Sequence, residues 1–111
     1  ARPDVVRVFL GDDAVRAQSP VLSRYPLARV FDLIQLQALA REAESRVACP
    51  SLVVAARNDH VVDSGEVREL SKRLAFSRLL ELQRGFHIIP RDTDRAIALT
   101  EIAHFVEAVA A

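Results

Sequence analysis

The run Ser51-Leu52-Val53-Val54-Ala55-Ala56 constrains this chain more than any other stretch, because it has no polar residue alternating with its apolar ones. A strand apolar on both faces needs cover on both, which is the condition of a buried parallel sheet rather than a half-solvated antiparallel one. Cys49-Pro50 precedes it and bars a helix from running in, since the residue before a proline avoids the helical region. After it, Asp63-Ser64 with Glu66 predicts a helix start, in which a side-chain oxygen takes an orphan backbone N–H and Glu66 reaches back. Ser64 is read as part of that cap. Val67, Leu70 and Leu74 mark the buried stripe of this helix. Leu79 to Leu82 predicts a second strand. Thr93 or Asp94 opens a last helix with a buried face of Ala98, Ile102, Phe105, Val106 and Val109. Strand, helix, strand, helix is a βαβα unit, so the expected class is α/β with parallel strands alternating with helices.

Upstream, Leu33, Leu36, Ala40, Ala43 and Val47 recur at steps of three and four, with Gln37, Arg41 and Glu44 on other faces. This spacing predicts an amphipathic helix that Cys49-Pro50 terminates. Val5 to Leu10 could form a short strand turned by Gly11-Asp12-Asp13. A chain of 111 residues has room for one core and not two. It holds no repeat, no low-complexity tract and no glycine-rich phosphate cradle.

Fifteen basic and fifteen acidic residues cancel, and no basic cluster is present to hold a phosphate backbone, so nucleic acid is not an expected partner. Cys49 is the single cysteine and cannot form an internal disulfide, which points to a cytoplasmic setting. It is expected to be a small buried residue at the strand entry. No apolar stretch approaches the roughly 20 residues of a membrane-spanning helix, and no signal-peptide layout is present. Residue 1 is Ala rather than Met, which hints at a processed, cleaved or partial chain.

The chemistry-bearing pair is Asp59 and His87, each just beyond the carboxyl end of a predicted strand. Ligands in open α/β sheets collect at that rim, and topology makes the two residues neighbours. A carboxylate that fixes one imidazole nitrogen leaves the other to take a proton from a hydroxyl and return it, with His87 as base and Asp59 as orienter. On spacing alone the alternative stays open, with Asp59 a turn acid and His87 an ordinary loop histidine. His60 could line a pocket mouth or be solvated, and His104 reads as a helix-surface residue. The histidines lack metal-ligand spacing, so no metal is expected. Asp92 could cap the last helix or help set the His87 loop, capping being the simpler reading.

From about Tyr25 to Val109 the chain resembles the C-terminal portion of an α/β-hydrolase, in the bacterial carboxylesterase and monoacylglycerol-lipase-like branch. The resemblance is carried by Val47-Ala48-Cys49-Pro50-Ser51-Leu52-Val53-Val54, by Arg57-Asn58-Asp59-His60-Val61-Val62, by Gly85-Phe86-His87-Ile88-Ile89 and by Asp92. It departs where Ala56 and Arg57 replace a common glycine and where Asp63 replaces a frequent proline. The resemblance implies that Asp59 is the triad acid and His87 the triad base of a serine carboxylic-ester hydrolase. It also implies small acyl-ester substrates, short or medium acyl chains or monoglycerides, and no cofactor. By the same resemblance, residues 1–46 would be the end of a lid region and a return helix, and 47–111 the C-terminal βαβα segment of the core. Phe9, Leu10, Tyr25 and Phe31 would then be candidates to line an acyl pocket, or ordinary core residues.

The Gly-x-Ser-x-Gly nucleophile elbow and its upstream oxyanion loop are missing from these 111 residues. Ser51, Ser64 and Ser71 sit at a strand start, a helix start and a helix interior, and read as structural. The sheet is therefore expected to be incomplete by itself and the isolated chain inactive. Its partner would be a missing N-terminal hydrolase portion or a second copy of the chain. Two further readings are a non-catalytic interaction module derived from the hydrolase fold and part of an acyltransferase.

Overall fold

A computed structural model describes residues 26–111 and the single position Ala14. The expected Val5 to Leu10 strand, and Phe9, Leu10 and Tyr25, lie outside the described residues. The described elements are α1 (Leu27–Ala43), a 3₁₀ turn (Glu44–Arg46), β1 (Ser51–Ala56), α2 (Ser64–Arg73), β2 (Ser77–Leu82), a second 3₁₀ turn (Ile89–Arg91) and α3 (Arg95–Ala110). This is a small α/β arrangement on a two-stranded parallel sheet, with Ser51 opposite Ser77 and Ala56 opposite Leu82.

β1 occupies the predicted apolar run, while β2 begins at Ser77, two residues ahead of the expected Leu79. Ser77 is recruited by pairing: its neighbour Phe76 accepts the Ser51 N–H at 2.8 Å, and its hydroxyl bonds Ser71. The two helices cover opposite faces. Glu81 of β2 accepts Nε and Nη2 of Arg68 on α2 at 3.0 and 2.6 Å, whereas Arg78, on the other face, pairs with Glu101 of α3 at 3.5 Å. Burial deepens toward the carboxyl ends of both strands, where Ala55 and Ala56 are 2% and Leu82 3% exposed. Ala98 of α3 completes that small core. The tightest packing therefore lies directly beneath the rim where ligands gather.

α2 starts at Asp63, whose carboxylate accepts the Gly65 N–H at 2.7 Å. Asp63 is the cap, and Ser64 is the first helical residue, not part of the cap. The reciprocal bond from Glu66 is not among the described hydrogen bonds. Asp63→Ala is expected to lower stability by about 1 kcal/mol, the usual cost of losing such a cap, as read by urea denaturation. The stripe Val67, Leu70 and Leu74 is half-buried.

Three expectations change. α1 ends at Ala43, ahead of Cys49-Pro50, and Val47 is extended with φ −76° and ψ 106°. Where α1 gives way to the 3₁₀ turn, Glu44 is anchored to Arg73, with contacts at 2.7 and 3.2 Å. Arg73 draws the Glu44 carboxyl below its ordinary range. Second, the predicted stripe of α1 is not buried: Leu33, Leu36 and the more N-terminal Phe31 are all more than half exposed. Its apolar residues encircle the helix, with Leu27, Ile34 and Leu39 exposed as well. On α3, likewise, Ala98 is buried and Phe105 half-buried, while Ile102, Val106 and Val109 are exposed. Two strands offer too little sheet to cover a helix of this length. Third, Cys49 at the strand entry is exposed rather than buried. The native protein is expected to give close to one equivalent of reactive thiol with a colorimetric disulfide reagent, without denaturant.

Candidate active site

β1 ends at Ala56, and the chain turns at once: the Asp59 N–H donates to the Ala56 carbonyl at 3.1 Å. Asn58 donates to the Gln83 carbonyl at 3.1 Å and the Arg57 N–H to the Leu82 carbonyl at 2.8 Å, so the ends of the two strands are stitched together. Within the turn, Oδ1 of Asp59 accepts the N–H groups of Val61 at 2.8 Å and Val62 at 3.0 Å. That local arrangement is the reason an aspartate suits this position, since its short side chain can bond its own backbone two and three residues on. With Oδ1 occupied, Oδ2 is aimed across the rim.

Opposite it stands His87, on the loop that follows β2. Nδ1 of His87 lies 3.0 Å from Oδ2 of Asp59 across 28 residues of sequence. The Asp59 side chain is 11% exposed and that of His87 33%. Burial pushes the Asp59 carboxyl up, but hydrogen bonds from Val62, His87 and Val61 outweigh it, and the group lies below its ordinary range. Asp59 is therefore ionised at neutral pH and can only accept. Nδ1 of a neutral His87 must then carry the proton, which leaves the lone pair on Nε2. That is the tautomer a general base needs.

A hollow of about 200 Å³ opens beside the pair, lined by Val54, Ala56, Val62, Val67 and Ile89 together with Ser64, Asp59 and His87. A larger groove of about 530 Å³ between α1 and α2 has a rim of Arg41, Glu44, Glu66 and Arg73, and touches neither Asp59 nor His87. The smaller hollow is the one that touches the Asp59–His87 pair. Ser64 reaches it from the first turn of α2, with its hydroxyl 3.4 Å from Nη2 of Arg68. It lacks the sharp strand-to-helix turn that exposes a nucleophilic serine, and Val62 and Glu66 stand where that motif has glycines.

The remaining candidates fall outside the pair. His60 is exposed and meets Phe86 edge to face, with ring centroids 5.5 Å apart. His104 is on the exposed surface of α3. Ser51 donates to the Cys49 carbonyl at 3.1 Å, and the Ser71 hydroxyl lies 3.0 Å from that of Ser77. Phe31 is exposed on α1 and lines neither hollow. Among the described residues no group of three or more His, Cys, Asp or Glu could hold a metal ion. No described helix is long and apolar enough to cross a membrane.

Asp92 does not cap the last helix by its side chain, a correction to the simpler reading. Asp94 holds the cap position of α3, with no side-chain cap bond, and both carboxylates turn back toward the His87 loop. Oδ2 of Asp94 accepts the N–H groups of Arg84 and Gly85 at 2.8 and 2.9 Å. Oδ2 of Asp92 accepts that of Phe86 at 2.8 Å, while its Oδ1 accepts the Thr93 N–H at 2.8 Å. Burial raises the Asp94 carboxyl, yet the Arg84 and Gly85 N–H bonds and the Arg84 guanidinium bring it below its ordinary range. Sequence reasoning gave Asp94 only a helix start; two acids one residue apart, ahead of a helix and just after a candidate catalytic histidine, were the available signal.

Compared with known proteins, the chain matches no family model, and no curated protein matches it.

Proposed function

We propose that this chain is the C-terminal portion of a serine carboxylic-ester hydrolase, supplying His87 as base and Asp59 as acid for acyl transfer to water. The observation that carries the reading is the 3.0 Å approach of His87 Nδ1 to Asp59 Oδ2 at the carboxyl rim of a parallel sheet. The motif stretches around Pro50, Asp59 and Gly85 support it independently. In this reading Nε2 takes the proton of an attacking serine hydroxyl as its oxygen bonds the ester carbonyl carbon. It then gives that proton to the departing alkoxide, and repeats the exchange with water to release the acid. The apolar lining of the adjacent hollow suits a short acyl or alkyl group rather than a charged one.

In this reading the serine and the oxyanion donors belong to a segment outside these 111 residues, joined at the edge of β1 that faces away from β2. β1 is apolar on both faces and suits an interior strand, while β2 carries Arg78 and Glu81, one charge to each face, as an outer strand does. The test is p-nitrophenyl ester turnover by a polypeptide that carries this chain together with a Gly-x-Ser-x-Gly segment, wild type against His87→Ala and Asp59→Asn. Undiminished turnover in the His87 variant would remove that residue from the mechanism and sink the proposal.

A further inference from the structure

Three consecutive backbone N–H groups, those of Arg84, Gly85 and Phe86, point at two carboxylates that lie beyond His87 in sequence. Asp92 is 5% and Asp94 3% exposed, which is rare for acids and requires that their charge be answered by donors. Three of the described donors come from the backbone that leads into His87. Gly85 is itself buried against Asp94, where an added Cβ would meet Asp94 atoms at 3.7 Å, an ordinary contact. No described residue has a positive φ. The path of the loop is thus set by hydrogen bonds rather than by a left-handed backbone turn.

We propose that Asp94 and Asp92 are positioning residues for His87, clamping residues 84–86 so that the imidazole is held against Asp59 before any nucleophile is present. The proposal deepens the hydrolase reading but has its own readout. The clamp's described bonds lie within residues 84–94, and its products are a fixed loop and a fixed ring tautomer, both observable in the 111-residue chain without ester or serine. Asp59 is gripped by its own turn, through Val61 and Val62, and His87 by this second grip. The 3.0 Å contact between them joins two parts that are each held separately.

The experiment is NMR on the 111-residue chain. In the wild type, the amides of Arg84, Gly85 and Phe86 should exchange at least about tenfold more slowly than unprotected amides, and long-range ¹H–¹⁵N spectra should show His87 as the Nδ1–H tautomer. In Asp94→Ala, which removes the acceptor of both N–H groups, protection at Arg84 and Gly85 should be lost and the His87 tautomer become mixed. Arg84→Ala, which removes the side-chain contact to Asp94 and leaves the backbone clamp, should leave tautomer and protection as in the wild type. Unprotected wild-type amides at 84–86 in a chain whose strand amides are protected would overturn the proposal without any variant. So would an Asp94→Ala chain that stays folded and retains a pure Nδ1–H His87. Because ester turnover is not read, failure here and failure of the hydrolase reading are separate results.

Discussion

Ester turnover by a polypeptide joining this chain to its serine segment is expected to fall by roughly 10⁴-fold or more in His87→Ala, and by about 10⁴-fold in Asp59→Asn. The two losses have different origins. Removing the imidazole leaves the serine hydroxyl with no acceptor for its proton, so attack must proceed from a group that is weakly nucleophilic at neutral pH. Replacing Asp59 by Asn keeps the size but turns one acceptor oxygen into an NH₂ donor. If that NH₂ faces Nδ1, the His87 proton moves to Nε2, the nitrogen that must be empty to act as base. The two substitutions together should cost little more than His87→Ala alone, since residues acting as a unit are not additive. Steady-state kcat with p-nitrophenyl acetate and butyrate is the measurement. A double variant with twice the logarithmic loss of the singles would contradict a shared role.

The second large effect is on stability. Asp94→Ala strips the acceptor from two backbone N–H groups, one part-buried and one buried, at the turn into the His87 loop, and should destabilise the chain by about 2–6 kcal/mol, at about 1–3 kcal/mol per abandoned donor. The acid side of the stability curve reports the same interaction. Because the folded-state pKa of Asp94 lies below its ordinary value, its contribution is complete above the usual Asp range near pH ~4. It is lost as the pH falls through the lower folded value, where protonation removes the charge that three N–H donors answer. Urea midpoints from pH 7 down to 2 should therefore fall more steeply for wild type than for Asp94→Ala. Parallel curves would mean that Asp94 is not what the turn depends on.

How far the sequence alone could be read depends on whether the information was local. The strand Ser51–Ala56 was legible to the residue because a proline bounds it on one side, an acid turn on the other, and its burial on two faces leaves an unbroken apolar signature. The cap of α2 was visible within one residue, since Asp63 satisfies a donor only two positions away. Asp59 and His87 could be paired because parallel strands bring their carboxyl ends to one rim whatever the intervening helix contains. Periodicity failed where it had to stand in for tertiary contact. Apolar spacing in α1 and α3 shows that a helix can form but not what it packs on, and most of those side chains are exposed on a two-stranded sheet. The end of α1 was misplaced as well; it coincides with a Glu44–Arg73 contact that spans 29 residues and leaves no mark in local spacing.

By itself, then, the amino-acid order determined the alternation of elements, the parallel sense of the sheet and the rim on which a carboxylate and an imidazole would appear, all consequences of short-range sterics and of which residues tolerate burial. Only the folded chain decided the distance between Asp59 and His87, the ring nitrogen that faces the acid, and the turning of Asp92 and Asp94 away from helix capping and onto the His87 loop. Those outcomes depend on where hydrogen-bond donors lie in three dimensions. Spacing along a chain does not carry that information.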